Sequence, residues 1–480
     1  MLAVLCCLAA AYTIWTLVDR LCLSPLRAIP GGLGYRLTAL TSQVRALFGL
    51  LADDCERDYY AYGDIYAVGP RVVVVSHPDD CMRVLRTHHY AKNAFYQAFA
   101  LVADNVYTTA DGRLADLRRR QLRHVFASKQ VHMHAVDCGL ELVRRRWGEE
   151  HTRVVQMEHE FMQLAVCVMG VVAYGRGLSG RERRELSAWI SDFNRLALVK
   201  LIVPIADRFP FSVLFRRLLS SKQAFAASVC TAIDGQCGRS TVVGALLSRE
   251  RKPDALTRRQ LVAETMAVII AGTDIVAQTL TWAIHYLMLY PPTYQRAIHD
   301  IRSRFPRNHH VTVDECLEHL PYVDAVLYEC LRIRAATGVF LPRVVPPSGA
   351  VFQNRYLPAG TQLAVNVAGA NHHQQTWPHS RQFMPERFIA NPRDKSKVMS
   401  FSAGARLCPG RDLALHEMLV ALANLLKNYD FALPESAKYR PDNLDAHGYP
   451  QAMPRVHRFT CVGPKYPDRD CQIIISPSNY

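Results

Sequence analysis

Apolar and polar positions alternate with different periods along the chain, and each change of period marks an element. Leu2 to Val18 is uncharged and mostly apolar. As a helix it spans about 26 Å at 1.5 Å per residue, close to the thickness of a thin bilayer. Arg20 and Arg27 follow it, and Pro25, Pro30 and Gly31 then interrupt the helix. The expected organisation is a transmembrane anchor at 1–23, a Pro/Gly connector at 24–32 and one globular domain at 33–480, because no repeat or long low-complexity stretch divides the remainder. A cleaved signal peptide is the alternative, favoured by the small residues 9–11 but opposed by the missing basic leader. With basic residues just beyond the apolar run, the positive-inside rule places the globular part in the cytosol.

"IYAVGPRVVVVSHP" has β-branched runs around a Gly-Pro turn and predicts a strand hairpin. From about Arg113 to Leu289 the patterning is mainly helical. Thr257 and Gln260 form a capping-box pattern ahead of a run that continues to Tyr290, where Pro291 and Pro292 stop it. The middle of that run, "ETMAVIIAGTDIVAQTLTWAIHYL", is apolar around most of its circumference and predicts a long buried helix. Gly272 costs about 1 kcal/mol there relative to Ala, and the Thr273-Asp274 pair must find partners in the core. A ligand passing close to the backbone is one reason for such a cost, and helix packing is the other. Further on, "AVFQNRYLPAGTQLAVNVAGAN" predicts a small sheet and "CQIIISP" another strand. "LVKLIVPIADRFPFSVLF" suits core packing, with a membrane-dipping entrance as the alternative. The fold class is mainly α with small β-sheets.

Charge narrows the partners. With 57 basic against 42 acidic residues the formal charge is +15, which favours an acidic protein or an anionic membrane surface. The clusters Arg118 to Arg120 and Arg144 to Arg146 lack the aromatic interleaving of a nucleic-acid groove, so no nucleic-acid partner is expected. Fourteen cysteines without CxxC spacing read as reduced core residues in a reducing compartment. Adjacent His372 and His373 are not spaced for one helix face and read as loop residues.

The stretch "FSAGARLCPGRDLALHEMLVALANLL" delivers Cys408 through a Gly-rich loop to the start of a helix. Pro409 suits a first helical turn. A cysteine there faces free backbone N–H groups, which favour thiolate. Gly404 and Gly410 allow close backbone approach to a flat ligand, and Arg406 can pair with an anionic group at its edge. Haem ligation by thiolate needs these features together.

The stretch resembles the haem-binding signature FxxGxRxCxG of cytochromes P450, with Phe401, Gly404, Arg406, Cys408 and Gly410 in place. Glu329 and Arg332 in "YECLRIR" resemble the family's ExxR, and Arg387 in "FMPERF" its third member. The resemblance covers essentially the whole chain after the anchor. It implies the P450 fold, a haem (iron protoporphyrin IX) on Cys408, and a Glu-Arg-Arg network supporting the haem loop. Arg343 and Arg119, or a neighbour of Arg119, are implied as propionate partners. Where the family often has Trp or His four residues before that arginine, Ala115 stands here.

A second departure concerns the long helix. Ala271, Gly272 and Asp274 resemble the oxygen-binding AGxDTT element, but Ile275 and Val276 replace the usual alcohol side chains. The family uses that alcohol to organise proton delivery. Asp274, with Thr273 beside it, is therefore the expected catalytic acid, its pKa raised by burial. Thr273 and Thr279 are not simple replacements for the alcohol.

The expected activity is monooxygenation of a lipophilic steroid, terpenoid, fatty acid or secondary metabolite. No flavin or nicotinamide fingerprint appears, so electrons are expected from NADPH through a separate cytochrome P450 reductase, with cytochrome b5 as a possible second donor, at the endoplasmic-reticulum membrane. The chain most resembles fungal membrane-bound members. Phe95, Tyr96, Phe99, Ile270, Ile275, Thr337, Val339 and Phe340 are pocket candidates by resemblance. A P450-fold isomerase, dehydratase or peroxide-using enzyme is the alternative chemistry, and a non-catalytic membrane-tethered haem-binding protein the alternative class.

Overall fold

A computed structural model describes residues 2–235, 238, 240–249, 252, 254–337, 339–458 and 461–480. The side chains of residues 2, 3, 5, 6, 9 and 10 lie outside that description.

The N-terminal run forms a 17-residue helix, α1 (Leu2–Val18), continued by one wide turn at Asp19–Leu23. Its described apolar side chains, among them Val4, Leu8, Tyr12, Ile14 and Trp15, are exposed. Among the described residues, the helix long and apolar enough to cross a membrane is instead α5 (Arg258–Leu289), which is mostly buried inside the protein. It is the central core helix that its all-round apolar pattern predicts. Thr257 and Gln260 cap its start reciprocally, and Pro291 opens the next helix just beyond its end.

Around α5 pack α2 (Gly112–Ala127), α3 (Met157–Tyr174), α4 (Gly180–Ile202), α6 (Pro321–Ile333) and α7 (Arg411–Asn428), sharing one large apolar core. The closest of these packings is α5 along α3. Gly272 permits it: a Cβ there would sit 2.3 Å from the Met169 sulfur of α3. Helix packing is thus one reason for this glycine.

The predicted hairpin is β1 (Ile65–Gly69) and β2 (Val72–Val75), antiparallel with an irregularity between Ala67 and Gly69. It belongs to a four-stranded sheet completed by β4 (Gln362–Asn366), parallel to β2, and β3 (Phe340–Val344), antiparallel to β4. The segment expected to form one small sheet thus divides. Ala350–Phe352 and Arg355–Leu357 make a separate hairpin, β4 joins strands nearly 300 residues earlier, and Val367–Asn371 turns helical. The divider is the Asn366 side chain, which caps that helix by accepting the Gly369 N–H at 2.9 Å. Gln472–Pro477 is a strand, as expected, paired on both sides with Arg153–Gln156 and Tyr429–Ala432.

The segment expected to favour the core between Leu198 and Phe215 does so only in part. Ile205, Phe209, Val213 and Leu214 are exposed, Phe209 by 83%. Pro204 and Pro210 break the helical period there, so the apolar residues cannot share one buried face. The described cysteine side chains carry no disulfide.

Candidate active site

The Cys408 loop and α5 form opposite walls of one cavity. The loop contributes Met399 to Ser402, Arg406 and Cys408 to Gly410, while Ala267, Val268, Ala271, Gly272, Ile275 and Val276 come from α5. Ser402 and Gly404 both have left-handed backbone, φ 60° and 56°. A Cβ on Gly404 would lie 2.3 Å from the Arg86 Cα. This glycine is demanded by its own turn and by the neighbouring chain. The Cys408 N–H donates to the Phe401 carbonyl at 2.9 Å, closing the loop.

The helix after this loop starts at Arg411, with Gly410 at its N-cap. Pro409 therefore lies in a turn ahead of it, and the Gly410 N–H is directed at the Cys408 sulfur. Burial pushes the thiol up, outweighing the Gly410 N–H and the charges of Arg119 and Arg411.

Lys92, Arg119, Arg343 and Arg406 line the same cavity. Among the described residues none of the four is in an ion pair with a carboxylate. Burial and the charges of Arg406 and Arg343 hold the Lys92 ammonium well below its ordinary pKa. Arg406 Nη1 is buried with no partner. Such a cationic end, left uncompensated by the protein, fits an anionic ligand edge. A cavity with one cysteine, apolar walls and this edge fits haem with its two propionates. Arg119 donates to the Leu407 carbonyl, and Arg343 donates to the Tyr96 hydroxyl at 2.9 Å. Arg118, by contrast, points away to Glu264 at 3.2 Å. The register within Arg118 to Arg120 is thereby settled as a placement: Arg119 faces the cavity.

Behind the loop, Glu329 and Arg332 are fully buried and paired through two contacts of 2.7 and 2.8 Å, and Arg387 Nε reaches Glu329 at 3.1 Å. Arg332 also donates to the Asn371 and Ser380 carbonyls at 2.9 and 2.8 Å. Asn371 passes the connection on, accepting the Met399 N–H at 2.9 Å and donating to Ser400 at 3.1 Å. A buried pair with every bond satisfied fixes the start of the cysteine loop.

A second cavity adjoins the first and shares Tyr107, Ala267, Ala271, Ile275, Thr337 and Leu341 with it. Phe95, Phe99, Ile270, Val339 and Phe340 line it, joined by Phe193, Met266 and Asp274. Tyr96 does not; it lies at the cationic end beside Arg343, turned there by its hydroxyl. The Thr337 hydroxyl donates to the Ser400 carbonyl at 2.8 Å, so this residue offers the cavity mainly its methyl group. Thr273 is buried, and its hydroxyl donates to the Ile269 carbonyl at 2.8 Å; it lines neither cavity. Thr279 does the same to Ile275 at 2.8 Å. Neither threonine lines a cavity, so neither hydroxyl stands in for the missing alcohol. Lys92, Tyr107, Met169 and Phe193 were not legible as site residues, because each reaches the cavity through tertiary packing and carries no motif.

His372 and His373 are buried, and His373 lies beside Asp64 and His77 with ligand atoms within 4.8 Å. Nδ1 of His77 accepts the Asp79 N–H and Nδ1 of His373 the Thr376 N–H, each at 3.3 Å. His373 Nε2 lies 3.6 Å from Asp64 Oδ1.

Residues 38–452 match the family described as Cytochrome P450. The chain is 33% identical to cytochrome P450 monooxygenase helB2 of Aspergillus fumigatus, covering 98% of each chain. It is 32% identical to cytochrome P450 monooxygenase helB3 of the same fungus, covering 99% of this chain and 98% of the relative. A more distant likeness, 23% identity over 89% of this chain and 92% of the relative, is to the versicolorin B desaturase stcL of Emericella nidulans. With the family signature, the cavity and relatives matched along nearly their full length, this chain belongs to the cytochrome P450 family of haem-thiolate oxidoreductases.

Proposed function

We propose that this P450 oxidises a lipophilic secondary metabolite, using O₂ and electrons passed from NADPH by a separate reductase, with cytochrome b5 as a second donor. The observation that carries this reading is the second cavity, apolar and aromatic except for a few groups such as Asp274. Haem bound through Cys408 supplies the oxygen activation. The chain's own residues do the rest: Lys92, Arg119, Arg343 and Arg406 bind the propionates, and Glu329, Arg332 and Arg387 hold the loop. The apolar wall of Phe99, Ile270, Ile275 and Phe340 orients the substrate and excludes water. Asp274 holds and releases a proton at its carboxylate.

An endoplasmic-reticulum location with the globular domain in the cytosol is supported by the exposed apolar side chains of α1 and by the exposed Ile205, Phe209, Val213 and Leu214. In this reading residues 1–23 are the anchor, 24–32 the connector and 33–480 the catalytic domain.

A second reading, a peroxide-using or isomerising enzyme of the same fold, is favoured by one observation: Ile275 puts hydrocarbon where the family alcohol stands, and the nearby threonine hydroxyls are spent on backbone. The discriminating experiment measures NADPH consumed, product formed and peroxide released with equal reductase. A spectral screen of steroids, terpenoids, fatty acids and polyketides first supplies the ligand. Asp274→Ala is expected to lower product per NADPH, and Ile275→Thr to lower peroxide release with poorly fitting substrates. Turnover that needs neither NADPH nor reductase would support the second reading.

A further inference from the structure

Away from the haem cavity, at one end of the four-stranded sheet, Asp64, His77 and His373 converge. Asp64 stands just ahead of β1 and His77 two residues beyond β2, and the hairpin brings the two ends together: the Asp64 carbonyl accepts the Ser76 N–H at 2.8 Å. His373 arrives from a distant segment, two residues past the short helix Val367–Asn371. One nitrogen or oxygen from each of the three lies within 4.8 Å of the others. The His77 and His373 rings meet edge-on at 73° with their centroids 4.8 Å apart. His372 turns the other way, its nitrogens beside the Tyr60 hydroxyl at 3.3 Å and the Ile333 carbonyl at 3.2 Å, so it stays out of the cluster.

The 3.6 Å between His373 Nε2 and Asp64 Oδ1 is too long for a hydrogen bond. Two ligands at about 2.0–2.1 Å from one tetrahedral zinc, however, stand about 3.4 Å from each other. Among the described residues no Lys or Arg pairs with Asp64, whose side chain is 29% exposed against 6% for His373. His373 also has the outer support that a ligand needs. Its Nδ1 is 2.9 Å from Thr376 Oγ1, and the Thr376 N–H has the His373 carbonyl as a second acceptor at 3.1 Å. Nδ1–H can therefore donate to the hydroxyl and leave the Nε2 lone pair free. His77 gives up little on ligation through Nε2, since its Nδ1 accepts the Asp79 N–H only across 3.3 Å at an exposed helix start.

We propose that Asp64, His77 and His373 form a Zn²⁺ site, with three protein ligands and a fourth position open to water. Two neutral imidazoles and a carboxylate suit zinc, whereas Mg²⁺ and Ca²⁺ take oxygen ligands. The site is structural, because none of the three residues lines the haem cavity. Its ion staples the open end of the β1–β2 hairpin to the segment that carries Asn371, whose side chain holds Met399 and Ser400 at the start of the cysteine loop.

The test uses untagged, full-length, haem-loaded protein, treated with EDTA, desalted and titrated with Zn²⁺ by calorimetry. Wild type should bind one tight equivalent and give no heat with Mg²⁺. Thr376→Val should weaken zinc binding roughly tenfold, and His77→Ala, His373→Ala and Asp64→Asn by more, with the ferrous-CO band kept. His310→Ala, a change on a half-exposed side chain paired with Asp137 elsewhere, should bind zinc as wild type does. Zinc should raise the melting temperature of wild type and leave that of His77→Ala unmoved. No tight equivalent in wild type, equal binding by His77→Ala, or a matching loss in His310→Ala would overturn the site. Tight binding with no rise in melting temperature would overturn the staple. If buried His373→Ala does not fold, the half-buried positions His77 and Thr376 decide the matter.

Discussion

Glu264, nearly two turns into α5, is fully buried, and the Val106 N–H contacts both its carboxylate oxygens at 3.1 Å. Burial pushes its pKa from 4.5 up to about 7, against the opposing pull of Val106 N–H and Arg118. Because the folded value lies above the unfolded one, the native state keeps this proton after the unfolded chain has lost it. Stability must then fall as pH rises from about 4.5 to about 7 and level off above. A rise of 2.5 units, from 4.5 to 7, at 1.36 kcal/mol per unit corresponds to about 3 kcal/mol. Glu264→Gln removes the titration. It also takes the counter-charge from Arg118, but that loss hardly changes above pH 8, where wild-type Glu264 is already ionised. Urea unfolding of both haem-loaded proteins at pH 5, 6, 7 and 8, followed by far-UV circular dichroism, isolates the effect. The stability of wild type relative to Glu264→Gln should decline by about 2.5 kcal/mol across that range, the remainder of the effect lying below pH 5. A difference that is flat, or grows with pH, would refute the argument and mean that Arg118 holds Glu264 ionised.

Gly404→Ala forces a side chain onto a left-handed residue with the Arg86 backbone 2.3 Å away; a loss of more than about 2 kcal/mol and weaker haem retention are expected, read by thermal melting and the Soret absorbance. Arg332→Leu strands the Glu329 carboxylate in a buried site and should cost about 3–5 kcal/mol, read as haem-free protein on expression. Deleting residues 1–23 should move the protein from the integral to the peripheral or soluble fraction with haem still bound, checked by carbonate extraction and absorbance.

Elements whose signal is local were readable from the sequence. The capping box at Thr257 and Gln260, the Gly-Pro hairpin and the cysteine loop each depend on neighbours within a few residues. What was hidden depends on distant partners. The pairing of β2 with β4 and the cationic quartet around Lys92 come from segments hundreds of residues apart. Thr273 and Thr337 illustrate a subtler limit: both hydroxyls are spent on carbonyls, Ile269 and Ser400, that no pattern discloses. Gly272 and Gly404 were readable as special positions, but the neighbours that crowd them, Met169 and Arg86, were not. The apolar stretch around Phe209 had the composition of core, yet its two prolines prevented the single face that burial requires.

The central claim is that Cys408 holds the haem iron as thiolate, and the ferrous-CO difference spectrum tests it most directly. Wild-type protein should give the red-shifted band of thiolate ligation, and Cys408→Ser should lose it while keeping most of its helical circular dichroism. Retention of the red-shifted band in Cys408→Ser, or its absence from well-folded wild type, would contradict the assignment.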